Sequence, residues 1–434
     1  MKNALFITIL FFLLLAGCRR EQSLPAVARV GEYTITAAEF RDRANYSPLP
    51  ASASLEQYKQ NVLQALIAEK MISQYNPKPA SLADRFAARR EKEAVIETFW
   101  KKEIESHIKT DDEQLWQLYL KKNRQRDVEI LSVANETEAE MLTRAWIENP
   151  QSVRHRLQRD TLQYSGELPV LEDTLFSAPM GKRIGPLKFG RRYITFRVRQ
   201  EWPLYIVSRG DFLQKRKSLL KSWRRLQKEK LFARYIKEHF PRQPYRLDKE
   251  VFRRMTSFLV KELFSAGEKR VREKMTAMLE SRRELMGETV ISFDNGQAWT
   301  VALLLRELLT GPYPLSYKSE GAFKFSLIKT VRRLLDDELI YRQAVSKGYE
   351  RAPYVLWQKA MWQSAYRAQK NKKLLSGNMK KSRAVLDSLE KEIPIKIYHN
   401  VLDTLRINPT RMMVLKKHFP GQTIVPPLFT VGNP

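Results

Sequence analysis

Apolar positions recur at helical spacing over most of the chain. In LEQYKQNVLQALIAEKMISQY (55–75), Leu55, Tyr58, Val62, Leu66 and Ile67 fall on one face, which predicts a long amphipathic helix. The same period runs through 81–108 and 111–123, with breaks at Asn76-Pro77 and Lys109-Thr110-Asp111. It returns over 211–237, where Leu219, Trp223 and Leu226 form the apolar stripe and lysines and arginines fill the other faces. Val27 to Thr36 reads differently, as a small strand pair or a strand and turn about Gly31 and Glu32. It runs into Thr36-Ala-Ala-Glu39, a capping box: the threonine hydroxyl takes the N3 amide, the glutamate reaches back to the Thr36 amide, and a helix starts.

Near residue 127 the period changes. DVEILSVA (127–134) is strand-like, 136–149 is helical, and 161–169 is rich in turn residues. The stretch 173–202 then reads as a short helix, a Gly-Pro turn and a closing strand pair. The result is a β-α-β unit inserted between helical segments.

The helical pattern also repeats. Val62, Leu66, Glu69 and Gln74 in VLQALIAEKMISQ (62–74) recur as Val331, Leu335, Glu338 and Gln343 in VRRLLDDELIYRQ (331–343). Thr36-Ala-Ala-Glu-Phe40 has a weaker counterpart in Thr300-Val-Ala-Leu-Leu304, and PYRLDKEVF (244–252) in PIKIYHNVL (394–402). Matches in the same order at start, middle and end predict two copies of one helical module, the first carrying the insert. Glu69 and Glu338 lie on or beside an apolar face at equivalent places. Each fits either a buried carboxylate accepting from backbone amides or a rim ion pair.

Composition sets the scale and the compartment. The chain has 434 residues, more than one core of about 250–300 residues holds, so two or three folded units are expected. Apolar residues make up 43%, enough for such cores. Lys2 followed by the apolar run ALFITILFFLLLA (4–16) has the form of an export signal, too short to span a bilayer comfortably. The single cysteine, Cys18, excludes an internal disulfide and a thiol-rich metal site. The five histidines, His107, His155, His239, His399 and His418, are scattered without ligand spacing, and no cofactor motif is present. A formal charge of +29 favours anionic partners, and export removes nucleic acid from among them.

Two resemblances sharpen this. LAGC at 15–18 resembles the lipobox of bacterial lipoproteins, which implies lipidation of Cys18 and a membrane anchor; Arg19 after it points to the periplasmic face of the outer membrane. VARVGEYTITAAEF, LIAEKMISQ and LFSAPMGKRIGPLKFGRRYITFRVRQ resemble the SurA, PpiD and PrsA family of exported peptidyl-prolyl isomerases and chaperones. That resemblance implies a mostly α fold with a small α+β parvulin-like domain and duplicated helical chaperone modules. The expected boundaries are a signal at 1–18, an N-terminal helical segment at 19–126, the parvulin-like domain at 127–202 and a return helix at 203–252 closing the first module. A linker helix at 253–287, a second module at 288–402 and a tail at 403–434, part of it mobile, complete the chain.

Active parvulins carry two histidines. Here Glu129 stands at the first position and Ile194 at the second, so weak or absent isomerase activity is expected. Met180 and Phe196 are the candidates for a proline pocket. The function expected is an envelope chaperone holding unfolded exported polypeptides in a cleft between helical lobes. Its candidate contacts are Phe40, Leu66, Ile67, Met71, Trp100, Trp116, Trp299, Leu335, Ile340 and Trp357, positions that equally suit a core. A working prolyl isomerase and a basic structural envelope protein are the alternatives.

Overall fold

The computed structural model describes residues 25–75, 81–166, 169–190, 192–240, 244–264, 271–280, 284–311, 315–375, 379–415 and 423–429. Over these the protein is mostly helical, with three small antiparallel sheets. The chain divides into two compact units, one formed by 1–99 together with 244–434, the other by 100–243. The segment expected to be an export signal, with Cys18 and Arg19, lies outside the described residues, and among the described residues no helix is long and apolar enough to cross a membrane.

The first unit begins with a hairpin, β1 (Ala26–Val30) and β2 (Tyr33–Thr36), turning at Gly31, whose φ of +57° suits a residue without a side chain. Thr36 caps helix α1 (Ala37–Tyr46) by accepting from the Glu39 amide at 3.1 Å. Glu39 does not reach back as a capping box would have it, because its carboxylate turns inward to Lys70. Helices α2 (Leu55–Gln74) and α3 (Ser81–Phe99) follow.

The second unit opens with a π-helical turn and a 3₁₀ turn over 100–107, then α4 (Asp112–Lys122), β3 (Arg124–Val133), α5 (Glu136–Glu148) and β4 (Gln158–Gln163). Helix α6 (Pro169–Ser177), strands β5 (Arg183–Phe189) and β6 (Arg192–Pro203) and the long α7 (Arg209–His239) complete it. The sheet order is β4-β3-β6-β5. Strand β4 overlaps the turn-rich stretch 161–169 at its last three residues: QRDTLQ is an exposed edge strand without apolar alternation. Gly185-Pro186 sits inside β5 rather than at a turn. A Cβ on Gly185 would meet the Ile194 carbonyl at 2.6 Å, and its φ of +133° leaves the position to glycine. Alternation along β3 and β6 divides the core between the two sheet faces. Val128, Phe196 and Val198 pack with Leu118 and Tyr119 of α4 and Phe212 and Leu219 of α7, whereas Leu131 and Val133 pack with Leu142 and Trp146 of α5.

On its return the chain adds β7 (Tyr245–Leu247), α8 (Lys249–Leu259), α9 (Val271–Glu280) and α10 (Glu284–Gly287) to the first unit. Then come β8 (Thr289–Phe293), β9 (Ala298–Thr300) and α11 (Val301–Thr310), which Thr300 caps at the Leu303 amide as Thr36 caps α1. Helices α12 (Glu320–Ser346), α13 (Pro353–Leu375) and α14 (Met379–Glu392) precede β10 (Ile395–Ile397) and α15 (His399–Thr404).

The strand pairing differs from sequential closure of each half. Strand β7, expected at the end of the first half, pairs with β8 of the second, and β10 pairs with β1 of the first. The backbone bonds match one for one. Asp248 N–H donates to Val290 at 3.0 Å and Tyr398 N–H to Val27 at 2.9 Å; Asp294 donates to Pro244 at 3.2 Å and Gly31 to Pro394 at 2.9 Å. The helices cross in the same sense: α2 packs on α13, α12 packs on α3, and α3 and α13 pack on each other. At the tail, Val425 and Phe429 are buried, and the Pro427 carbonyl accepts from Arg43 at 3.0 Å, so 423–429 belongs to the core.

Candidate functional site

Phe40, Leu66, Ile67 and Met71, expected to line a client cleft, are buried together in the core around α1 and α2. Trp299, Leu335, Ile340 and Trp357 are buried as well. Trp100 and Trp116 are spent on internal contacts, Trp100 against Phe232 and Trp116 against Phe212. The eight others hold the fold as core, while Trp100 and Trp116 are half-buried in these ring contacts. Their stripes pack inward because the two halves cover one another through α2, α3, α12 and α13.

Beneath that core lies an ionic cluster that composition does not reveal. Arg43 on α1 makes a paired contact with Glu69 on α2, at 3.2 and 2.7 Å. Lys70 donates to Glu39 and to Ser364 of α13, each at 2.6 Å, and Ser364 donates to Glu69 at 3.2 Å. All five residues are buried. Burial alone would raise the Glu69 carboxyl, but the Arg43 and Lys70 charges beside it outweigh that and hold it below the ordinary glutamate range. The partners are therefore side chains, not the backbone amides that the apolar face suggests. Glu338, the matching residue of α12, bonds Lys92 of α3 at 2.6 Å and Arg342 at 2.7 Å. Lys92 also reaches Glu307 at 3.2 Å. In both places a carboxylate fastens its helix to the helix that crosses it.

In the second unit, Glu129 faces the α5 side of the sheet and is tied to Arg197 at 2.5 Å, with Arg199 and Arg159 at 3.6 and 3.7 Å. Ile194 is half-buried at the far end of β6, opposite Ser132. The two positions are therefore not brought together. Phe196 is 0% exposed beneath α4 and α7, so it cannot receive a prolyl ring; Met180 is 65% exposed. The pair expected to line a pocket does not form one.

The sheet instead presents apolar groups elsewhere. After β6, the segment 204–208 is pinned by Asn123 at the end of α4. Leu204 N–H donates to the Asn123 carbonyl at 2.8 Å, Tyr205 N–H to its Oδ1 at 3.0 Å, and its Nδ2 donates to the Tyr205 carbonyl at 2.8 Å. These bonds hold the backbone at Leu204 and Tyr205, and the side chains of Tyr205, Ile206 and Val207 stand in solvent, Ile206 at 91% exposure. Trp202 and Leu213 are exposed beside them in sequence. A cavity of about 170 Å³ lined by Leu120, Trp202, Pro203 and Val207 opens at this place, with Arg124 and Glu201 on its wall. YIV at 205–207 is visible in the sequence as an apolar triplet between a strand and a helix. Only its exposure distinguishes it from a core segment.

Among the described residues no cluster of side chains has the make-up of a metal site. Comparison with protein-family models, with curated proteins and with solved structures finds no match.

Proposed function

We propose that the chain is a lipid-anchored envelope chaperone of the SurA, PpiD and PrsA type that binds unfolded exported polypeptides. In this reading 127–202 is a parvulin-like domain that has become a binding module and does little or no prolyl isomerisation. The observation that carries the reading is the 204–208 segment: an apolar display whose backbone is held at Leu204 and Tyr205 by three hydrogen bonds, beside a cavity that mixes apolar groups with Asn123, Arg124 and Glu201. A pre-ordered apolar edge binds extended segments without first losing its own conformational freedom. The cation-rich helix α7 that follows adds attraction for acidic stretches of a client. Isomerisation would need a dry pocket around the prolyl amide, and the burial of Phe196 together with the Glu129–Arg197 ion pair argues against one.

The helical unit is, in this proposal, a duplicated module whose two copies have exchanged their closing strands. Two matched pairs of backbone bonds, two threonine caps and two carboxylate fasteners support it. Its role is to carry the binding unit, which leaves the first copy after α3 and returns at β7. Lipidation at Cys18 would hold the whole at the membrane. The test is whether the protein delays aggregation of an unfolded outer-membrane protein, and whether that delay needs Tyr205 and Ile206.

A further inference from the structure

Helix α12 changes character along its length. Its C-terminal half is buried nearly all round, with Leu334, Leu335, Glu338, Leu339 and Ile340 in the core. Its N-terminal half buries Phe323, Leu327 and Val331 on one side only. On the opposite side Gly321, Phe325, Ile328 and Arg332, spaced four, three and four apart, share a stripe open to solvent. Phe325 is 70% and Ile328 53% exposed. Lys329 and Arg332 are exposed beside them, Lys318 stands exposed just ahead of the helix, and Lys324 flanks the other edge, paired with Glu320.

We infer that this face docks on an anionic lipid surface. An aromatic and a branched aliphatic side chain, one turn apart and rimmed by long cationic chains, fit the boundary between head groups and acyl chains. The rings and methyls enter it while the lysine and arginine heads reach the phosphates. Glu320 pairs with Lys324 and Asp336 lies within reach of Arg332, but the cations outnumber these acids, so the rim favours a negative partner, and the net charge of the chain has the same sign. Two apolar side chains are too little for a stable protein interface, but they suffice for shallow insertion assisted by charge. The inference stands apart from the client-binding reading, since it uses neither the sheet unit nor the 204–208 segment.

Gly321 offers a reporter site: a Cβ there meets nothing within 4 Å, so Gly321→Cys fits on the stripe one turn ahead of Phe325. The whole chain carrying Gly321→Cys, labelled with bimane, is incorporated into vesicles through its N-terminal segment, and quenching by spin-labelled lipid is measured. The unsubstituted chain, labelled in the same way, sets the Cys18 background. Quenching should be about threefold stronger in phosphatidylglycerol-containing vesicles than in phosphatidylcholine alone, and should fall to the phosphatidylcholine level at high salt. Phe325→Ser with Ile328→Ser, or Lys329→Glu with Arg332→Glu, should abolish the difference. Equal quenching in the two vesicles, or a difference that survives both double substitutions, overturns the inference.

Discussion

The Tyr398 amide donates to the Val27 carbonyl at 2.9 Å, joining the last strand of the chain to the first. The equivalent bond of the other sheet joins Asp248 to Val290, so each half of the helical unit is finished by a strand from the other. A unit closed in this way cannot lose β10 without leaving β1 unpaired on that side. Loosening β10 must expose the hairpin at the opposite terminus.

Lys396→Pro tests that arrangement, because proline in the middle of a strand removes a donor and disturbs the ladder. Amides of 26–36 should lose protection in hydrogen exchange, by the equivalent of about 1–3 kcal/mol, while those of 289–293 keep theirs. Arg246→Pro should give the converse. If Lys396→Pro instead loosens 289–300, the pairing is sequential and the exchange is wrong.

The Arg43–Glu69 pair predicts a steep cost for removing one partner. Arg43→Met strands a buried carboxylate and should destabilise the helical unit by about 3–5 kcal/mol in denaturant unfolding. Combining it with Glu69→Leu should cost clearly less than the sum of the two single changes.

The same cluster sets a pH limit. The folded-state pKa of Glu69 lies below its ordinary value of 4.5, so its contribution is fully present above that pH and is lost as the pH falls through the folded value. Wild-type unfolding curves should weaken progressively below about pH 4.5. In Glu69→Gln, already less stable, that part of the acid dependence should be missing.

Phe196 separates a core role from a catalytic one. Phe196→Ala should lower the stability of the 100–243 unit by about 3–5 kcal/mol. Prolyl isomerisation of a tetrapeptide should stay at the uncatalysed rate in both wild type and variant. Turnover by the wild type that Phe196→Ala removes while the protein remains folded would restore the isomerase reading.

Much of the architecture is legible in the sequence because helical periodicity and caps are local. The 55–75 pattern corresponds to α2, 211–237 to α7, and Thr36 and Thr300 both cap helices. What escapes is partnership. PYRL and PIKI carry the same signal, and nothing in either says which hairpin it will pair with, since register and partner are settled by packing far away in the chain. Strand β4 was hidden because an edge strand without a buried face has no alternation to read. The site positions failed for a related reason. Phe40, Leu66 and Trp299 form stripes that look the same whether they face a client or a neighbouring helix. Ile206 gave no periodic signal at all, and its exposure follows from Asn123 holding the backbone beside it.

The central claim is tested most directly by light scattering of an unfolded outer-membrane protein diluted into buffer with an equimolar amount of this chain. The account predicts that wild type delays aggregation. Tyr205→Ser with Ile206→Ser, exposed and so without effect on folding, should lose most of that delay, and Phe325→Ser with Ile328→Ser should keep it. No delay by wild type, or a delay that the Tyr205 and Ile206 substitutions leave intact, would contradict it.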